Sequence, residues 1–408
     1  MQQNNLKIFI PLFIVLIVDA MGFGLVFPII GPLLMDKHAG MLPISASIAE
    51  RSMFYGLTNV SCFLALLLGA PFFGDLSDKY GRKKIIILCL FGIAFGYVIS
   101  ALALIVKSVW LFILGRMIDG FAAGSESIAQ AAIIDISPPE KKTINLSLIT
   151  VAGCFGFVIG PLVGGVFSDP SLNHWFGYMT PFIVALVLTL LNAICLFFTF
   201  TETHQALNKG KVQLLKGLTM FKAAFTNKTL KRISVIFLLM QVAWAIYFQL
   251  VSLIFTENYH YLPKQIGFFY AYLGLIISFT MMIMIRLFLK FVSEKKLVFI
   301  ACIIAIVGVL LNILFQSKWM PWISVIFIAL GMGLAYACIL SFYSQSVSKE
   351  HQGWVMGVGN SVIAVSWSIG GAMISLISTA YFSWLLALMV LCYLIAGFSI
   401  RQLCLPTK

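Results

Sequence analysis

Apolar residues in this chain run on for membrane lengths, one stretch after another. A helix needs about 20 mostly apolar residues to cross the hydrocarbon of a bilayer. Along 408 residues that rule picks out twelve candidate spans, at 8–34, 52–72, 84–106, 110–136, 144–168, 177–200, 232–256, 265–290, 296–316, 321–345, 354–378 and 381–402. Barrel strands would alternate polar and apolar residues, and these runs do not. The expectation is therefore an all-α integral membrane protein. Only 10% of the residues are charged, against about 25% in a soluble domain. The first apolar run is too long for a cleavable signal peptide and continues into more helix.

A net charge of +13 would fit a nucleic-acid binder, but its distribution argues against one. With the N-terminus inside, the cytoplasmic turns and both tails hold 20 of the 27 Lys and Arg. The outer loops hold Lys37, Arg51, Lys107, Lys264 and Lys318, and Arg116 and Arg286 lie inside spans. That positive-inside bias puts both termini in the cytoplasm of a multi-pass inner-membrane protein whose partner is the lipid bilayer, with no nucleic acid. Seven of the eight cysteines lie in spans, no CxxC pair occurs, and the five histidines fall in loops. The expectation is no metal and no cofactor. No nucleophile clusters with a base, so no enzyme is expected either.

A polar, lysine-rich stretch divides the spans six and six. The expected organisation is an N-terminal six-helix bundle at 1–203, a cytoplasmic linker at 204–231 and a C-terminal six-helix bundle at 232–408. Between Val212 and Phe225 apolar residues recur among lysines. That fits a short helix on the inner membrane surface, and equally a solvated linker. Two six-helix halves indicate a transporter built from repeats, with a small-molecule substrate near the midplane between them.

The densest charge cluster of the first half is Gly74-Asp75-Leu76-Ser77-Asp78-Lys79-Tyr80-Gly81-Arg82-Lys83-Lys84. Read as a turn, its glycines reverse the chain between antiparallel helices. Asp78 sits by a helix N-terminus, and Arg82, Lys83 and Lys84 face the inner leaflet. A merely basic turn explains the cations but not Asp75, Asp78, Gly74 and Gly81. Asp135, at the cytoplasmic end of span four beside Ser137-Pro138-Pro139-Glu140-Lys141, lies at the same membrane level and is expected to pair with Arg82 as a gate lock.

The stretch matches G-x-L-a-D-r-x-G-r-k-k, with Lys79 for the usual Arg, and so resembles the signature of the major facilitator superfamily. The resemblance covers the whole chain. Span one reads Asp19-Ala20-Met21-Gly22-Phe23-Gly24-Leu25-Val26-Phe27-Pro28, similar to D-x-x-G-F-G-x-x-x-P. Span four reads Leu114-Gly115-Arg116-Met117-Ile118-Asp119-Gly120-Phe121-Ala122-Ala123, similar to R-x-x-q-G-x-x-A, with Asp119 where Gln is common. Span five reads Gly156-Phe157-Val158-Ile159-Gly160-Pro161-Leu162-Val163-Gly164-Gly165, similar to G-x-x-x-G-P-x-x-G-G. Together these resemble the twelve-span drug:proton antiporter branch, with its tetracycline and multidrug efflux transporters. The resemblance implies two pseudo-symmetric six-helix bundles, alternating access, and a proton gradient as energy source. It supports the Arg82–Asp135 lock. Small residues and Pro161 let span five pack closely and kink, and the family adds that this helix lines the contact between the halves. Gly74, Asp78, Gly81, Arg82, Asp135, Gly160 and Pro161 are the candidate gating residues. Span nine carries no acid, whereas tetracycline exporters resemble one another in having one there.

Three of the fourteen acids lie deep in spans: Asp19, Asp119 and Glu126. A charge at the bilayer centre costs about 2.5–3.5 kcal/mol on insertion scales. Arg116, Asp119, Ala123, Glu126 and Gln130 follow steps of three and four, one polar stripe on a continuous span four. Arg116 can pair with Asp119, or with Asp19 across helices. Burial and a neighbouring arginine act in opposite senses on a carboxylate's proton affinity, which is the tuning a proton carrier needs. Asp19, Asp119, Glu126 and Arg116 are the candidate proton-coupling residues; the other reading is a structural ion-pair network. In the second half the only buried ionisable residue expected is Arg286. It has instead Gln241, Trp244, Tyr247, Gln249, Tyr336, Tyr343, Asn360 and Trp367. Rings with polar tips suit a cavity for amphipathic organic molecules, although such rings also simply pack. With Gln130, the candidate cavity residues are Gln241, Trp244, Tyr247, Tyr336 and Asn360. The charged turn has only a decayed counterpart, Lys290–Lys296. The reading is a monomeric proton-coupled secondary transporter, exporting a drug or metabolite by antiport. The alternative is proton-symport uptake of a siderophore, amino acid or other nutrient.

Overall fold

The computed structural model describes residues 2–137, 142–203, 212–226, 228–348, 351–376 and 382–403. The expected turn at 138–141, residues 204–211 of the linker and Cys404 lie outside the described residues. The first half of the chain holds α1 (Gln2–Met35), α2 (Ile48–Tyr80), α3 (Arg82–Val106), α4 (Val109–Ala122), α5 (Ser125–Asp135), α6 (Lys142–Phe167) and α7 (Thr180–Thr199). After α8 (Lys216–Ala223) come α9 (Lys228–Glu257) and α10 (Pro263–Phe279). A π-helical turn at Thr280–Met284 runs on into α11 (Ile285–Phe288). Then follow α12 (Glu294–Leu314), α13 (Met320–Gln345), α14 (Gln352–Leu376) and α15 (Phe382–Arg401). No strand occurs among the described residues, and ten helices are long and apolar enough to cross a membrane.

Span four is not continuous, which corrects the expected unbroken stripe. α4 ends at Ala122 and α5 begins at Ser125. Ala123 N–H reaches only the Gly120 carbonyl, and regular bonding resumes with Ile128 N–H on the Gly124 carbonyl at 3.2 Å. The cause is close backbone packing. Gly120 lies on the Cys62 carbonyl, Gly69 of α2 lies on the Phe121 carbonyl, and Gly124 meets Phe73. Any side chain at these glycines would hold α2 and α4 apart.

The charged turn is also shorter than its sequence implies. α2 continues through Gly74, Asp75 and Asp78 to Tyr80, and Gly81 alone reverses the chain, at φ 100°. One glycine with positive φ suffices for that reversal. Gly74 is a helical residue with no neighbour within 4 Å of an added Cβ. The helix expected between Val212 and Phe225 forms as α8, and its start is held to α2. Lys216 pairs with Asp75, and Gly217 rests on the Leu67 carbonyl.

The chain forms two compact units. The first comprises Met1–Ala46, Ser61–Gly217 and Tyr261–Ala271; the second comprises Ser47–Val60, Leu218–His260 and Tyr272–Lys408. In the first, α1 packs on α6 and α7 while α3 packs on α4 and α7, around a core of Leu12, Ile86, Leu90, Ala129, Ile133 and Leu196. Within this unit the beginning of α10 is received by α6. Gly165 faces the backbone at Pro263–Gly267, and Lys264 Nζ lies 3.6 Å from Asp169 Oδ2. In the second unit α9 packs on α14 and α15, and α12 on α13 and α15. It receives the beginning of α2. Tyr55 O–H donates to the Gln249 carbonyl at 2.8 Å, and Gly56 lies on Gly371 and Ser375. Arg51, expected in an outer loop, is helical and 1% exposed.

Candidate functional site

Span four breaks where it matters chemically. Ser125, freed as the first residue of α5, donates its hydroxyl to Asp19 Oδ2 on α1 at 2.5 Å. On α4, Arg116 Nη1 and Asp119 Oδ2 are 2.7 Å apart, both buried. Arg116 Nη2 also lies 3.9 Å from Cys62 Sγ of α2. Of the two carboxylates offered to Arg116 by the sequence, the ion pair is therefore with Asp119. Gln130 Nε2 donates to Glu126 Oε1 at 3.0 Å along α5. Asp119 is buried, Asp19 is half-buried and Glu126 is exposed on the bare protein surface.

The break does not scatter the stripe. Asp19, Asp119 and Glu126 line one small pocket with Phe23, Tyr97 and Thr189, a space with room for about one water. Three carboxylates are brought there from α1, α4 and α5, and Asp119 among them is paired with Arg116. Such a pocket gathers groups able to take up and release protons and to interact with a cation.

The candidate gating residues assemble around Arg82, which is 9% exposed rather than turned to the leaflet. Its Nη1 lies 2.6 Å from both Asp78 Oδ1 and Ser77 Oγ, and its Nε lies 3.3 Å from Asp135 Oδ2. The Arg82–Asp135 pair is thus present. The role expected of Asp78 at the helix N-terminus is instead taken by Glu202, just past α7. Its carboxylate accepts from Arg82 N–H at 2.9 Å and Lys83 N–H at 3.1 Å, satisfying two of the free donors that begin α3. In the second half the start of α12 is held to α13. Glu294, the first residue of α12, accepts from Ser341 Oγ at 3.0 Å and from Gln345 Nε2 at 3.1 Å, both on α13. On α6, Gly160 lies against Met21 and Gly24 of α1, and the Pro161 ring lies against Gly24.

The second-half candidates do not join the acid pocket. Gln241, Trp244 and Tyr247 are packed inside the second unit, with the Trp244 and Tyr247 rings 6.2 Å apart. Tyr336 is half-buried beside Phe237, and Asn360 is exposed. Arg286, just after the π-helical turn, is exposed, not buried. Sequence reasoning missed Tyr97, Thr189, Ser125 and Glu202. The first two are single polar tips in apolar helices, whose facing only packing reveals. Ser125 is hidden by the unforeseen break. Glu202 was legible as an acid one step past span six at the level of the charged turn. Among the described residues no cluster of His, Cys, Asp and Glu is arranged to hold a metal.

The profile of the Major Facilitator Superfamily matches residues 12–371. The class H tetracycline resistance protein of Pasteurella multocida is 26% identical over 390 residues, 94% of this chain and 92% of that one. The class D tetracycline resistance protein of Salmonella ordonez is 27% identical over 351 residues, 85% and 83% of the two chains. Among solved structures, that of a D-xylose-proton symporter matches with a TM-score of 0.75 at 14% identity, over 95% of this chain and 97% of that one. Such identity speaks for the fold alone. With a profile running from α1 into α14, the chain belongs to the Major Facilitator Superfamily, a family of membrane transporters of small molecules and not of enzymes.

Proposed function

We propose that this protein is a proton-coupled secondary transporter of a small organic molecule, working by alternating access as a monomer in the inner membrane. Twelve spans in two six-helix bundles, joined by a cytoplasmic linker and with both termini inside, are the arrangement this reading uses. The observation that carries it is the convergence of Asp19, Asp119 and Glu126 in one pocket beside Arg116. Protons and substrate need only bias the same two-state equilibrium through these groups. Arg82 with Asp78 and Asp135 is the inner lock of that cycle, and the α1–α6 packing at Gly160 and Pro161 is where it moves. Gln241, Trp244, Tyr247, Tyr336, Asn360 and Gln130 are the substrate-contacting candidates.

Two directions have support. Export by proton antiport is supported by the Gly156–Gly165 motif and by relatives named for tetracycline resistance. Uptake by proton symport is supported by the likeness in fold to a D-xylose-proton symporter. The purified full-length protein in pyranine-loaded proteoliposomes separates them, with tetracycline, ethidium and D-xylose as probes. Entry of a probe with lumen alkalinisation means antiport, and entry with acidification means symport. Entry of a probe without any change in lumen pH would refute proton coupling. Asp19→Asn and Glu126→Gln should each lose at least about tenfold in accumulation against a gradient, a loss near 1.4 kcal/mol, while exchange persists. If both variants still concentrate the probe, the coupling assignment is wrong.

A further inference from the structure

Tyr97 of α3 is 3% exposed and shares the pocket of Asp19, Asp119 and Glu126. Two glycines admit it there. Gly96, its neighbour, brings the α3 backbone onto α4, where an added Cβ would stand 2.9 Å from the Asp119 nitrogen and 3.0 Å from its Cβ. Gly22, one helical turn beyond Asp19 on α1, leaves the space that the Tyr97 hydroxyl occupies. An added Cβ at Gly22 would overlap that oxygen, yet would sit 3.7 Å from the ring carbon that bears it. The phenol therefore reaches from the Asp119 side of the pocket to the α1 turn that carries Asp19. Other groups leave it work to do. Asp19 Oδ2 takes the Ser125 hydroxyl, and Asp119 Oδ2 takes Arg116. The charged and titratable groups around Tyr97 are Asp19 on α1, Cys62 on α2, and Arg116 and Asp119 on α4, with Glu126 on α5 in the same pocket. From α7 the pocket receives Thr189, which does not titrate.

We propose that Tyr97 is a positioning residue of the acid pocket, its O–H donating to Asp19 when that carboxyl is ionised, and that Gly22 is glycine so that this hydroxyl can enter. The proposal rests on the proton-coupled reading of that pocket and adds the residue that sets its proton affinity. A donor to the ionised form of a carboxylate favours that form. Removing the hydroxyl therefore makes proton uptake occur at higher pH.

The test uses the full-length protein in lipid and needs no substrate. Infrared difference spectra between pH 5 and 9 follow the protonated-carboxyl band that is lost in Asp19→Asn. In Tyr97→Phe its midpoint should move to higher pH by roughly one unit, the size of one hydrogen bond to a charged group. An unchanged midpoint, or no such band in the wild type, overturns the proposal. A second comparison guards against trivial misfolding. Gly22→Ala should destabilise the wild type but be tolerated in the Tyr97→Phe background, because the overlapping oxygen is gone. Equal thermal destabilisation in both backgrounds overturns the assignment of Gly22. Proton flux in proteoliposomes is read separately. Wild-type flux with an unmoved Tyr97→Phe midpoint sinks only this inference, whereas an absence of wild-type flux sinks the transport reading.

Discussion

Arg82 gathers several partners at the inner end of the first unit. Asp78, Ser77 and Asp135 all bind its guanidinium, while its backbone N–H is held by Glu202. Replacing it with Ala strips three partners at once, but Asp78 and Asp135 are 40% and 29% exposed and can turn to water. The expected loss of stability is therefore only about 1–2 kcal/mol. The loss of transport should be larger, at least about tenfold in turnover, the equivalent of 1.4 kcal/mol, measured at normal expression. Unimpaired turnover would remove Arg82 from the lock. Glu202→Ala leaves the first N–H groups of α3 without an acceptor and should lower thermal stability by about 1 kcal/mol. A variant as stable as the wild type in detergent melting would show that water replaces the carboxylate at no cost.

At the scale of helices, glycines decide what packs and what does not. Gly120 and Gly69 let α4 and α2 meet backbone to backbone, and the break after Ala122 delivers Ser125 to Asp19. At Gly74, the most conspicuous glycine of the charged motif, an added Cβ would meet nothing within 4 Å. The two should respond oppositely. Gly120→Val overpacks the α2–α4 contact and should cost about 1–3 kcal/mol. Gly74→Ala replaces a helical glycine in open space and should leave stability unchanged or raise it by about 0.5–1 kcal/mol. Thermal melting of the two variants in the same detergent checks both. Should Gly74→Ala nonetheless abolish transport, the space beside it is used in another state of the cycle.

At the scale of the molecule, the two exchanged segments are the consequential feature. The beginning of α2 belongs to the second unit and the beginning of α10 to the first. Alternating access requires such contacts to part. An added Cβ at Gly56 would fall on the Gly371 carbonyl and the Ser375 backbone, so Gly56→Ala should overpack this contact and cost about 1–3 kcal/mol in thermal melting. Unchanged melting in Gly56→Ala would show that the contact is loose enough to take a side chain. In the first unit, Asp169 anchors the other segment. The Ser171 hydroxyl at 2.7 Å, with its N–H and Lys264, holds the Asp169 carboxyl below its ordinary value of 3.8. A depressed carboxylate stabilises the fold above its unfolded value, and that stability is lost as pH falls through the lower folded one. The difference in melting between wild type and Asp169→Asn should therefore be full at neutral pH and close below about pH 4. A difference independent of pH would deny Asp169 that charge-dependent role.

Helix positions were legible in the chain because a bilayer demands long apolar runs, and each of the expected spans coincides with helix among the described residues. The Arg116–Asp119 pair was legible because it is local, three residues apart on one helix. The Arg82–Asp135 pair was legible through membrane level, since both ends of the pair lie at the boundary of spans. What the sequence could not express was facing and interruption. Asp19 and Ser125 meet across 106 residues, and that meeting depends on a break made by contact between α2 and α4. Tyr97 is one aromatic in an apolar helix until Gly22 is found against its hydroxyl. By itself, then, the sequence determined that long apolar helices form and which of them carry charge. The tertiary structure alone decided which of those charges share one pocket, because helical spacing orders residues along one helix while only packing selects what they face.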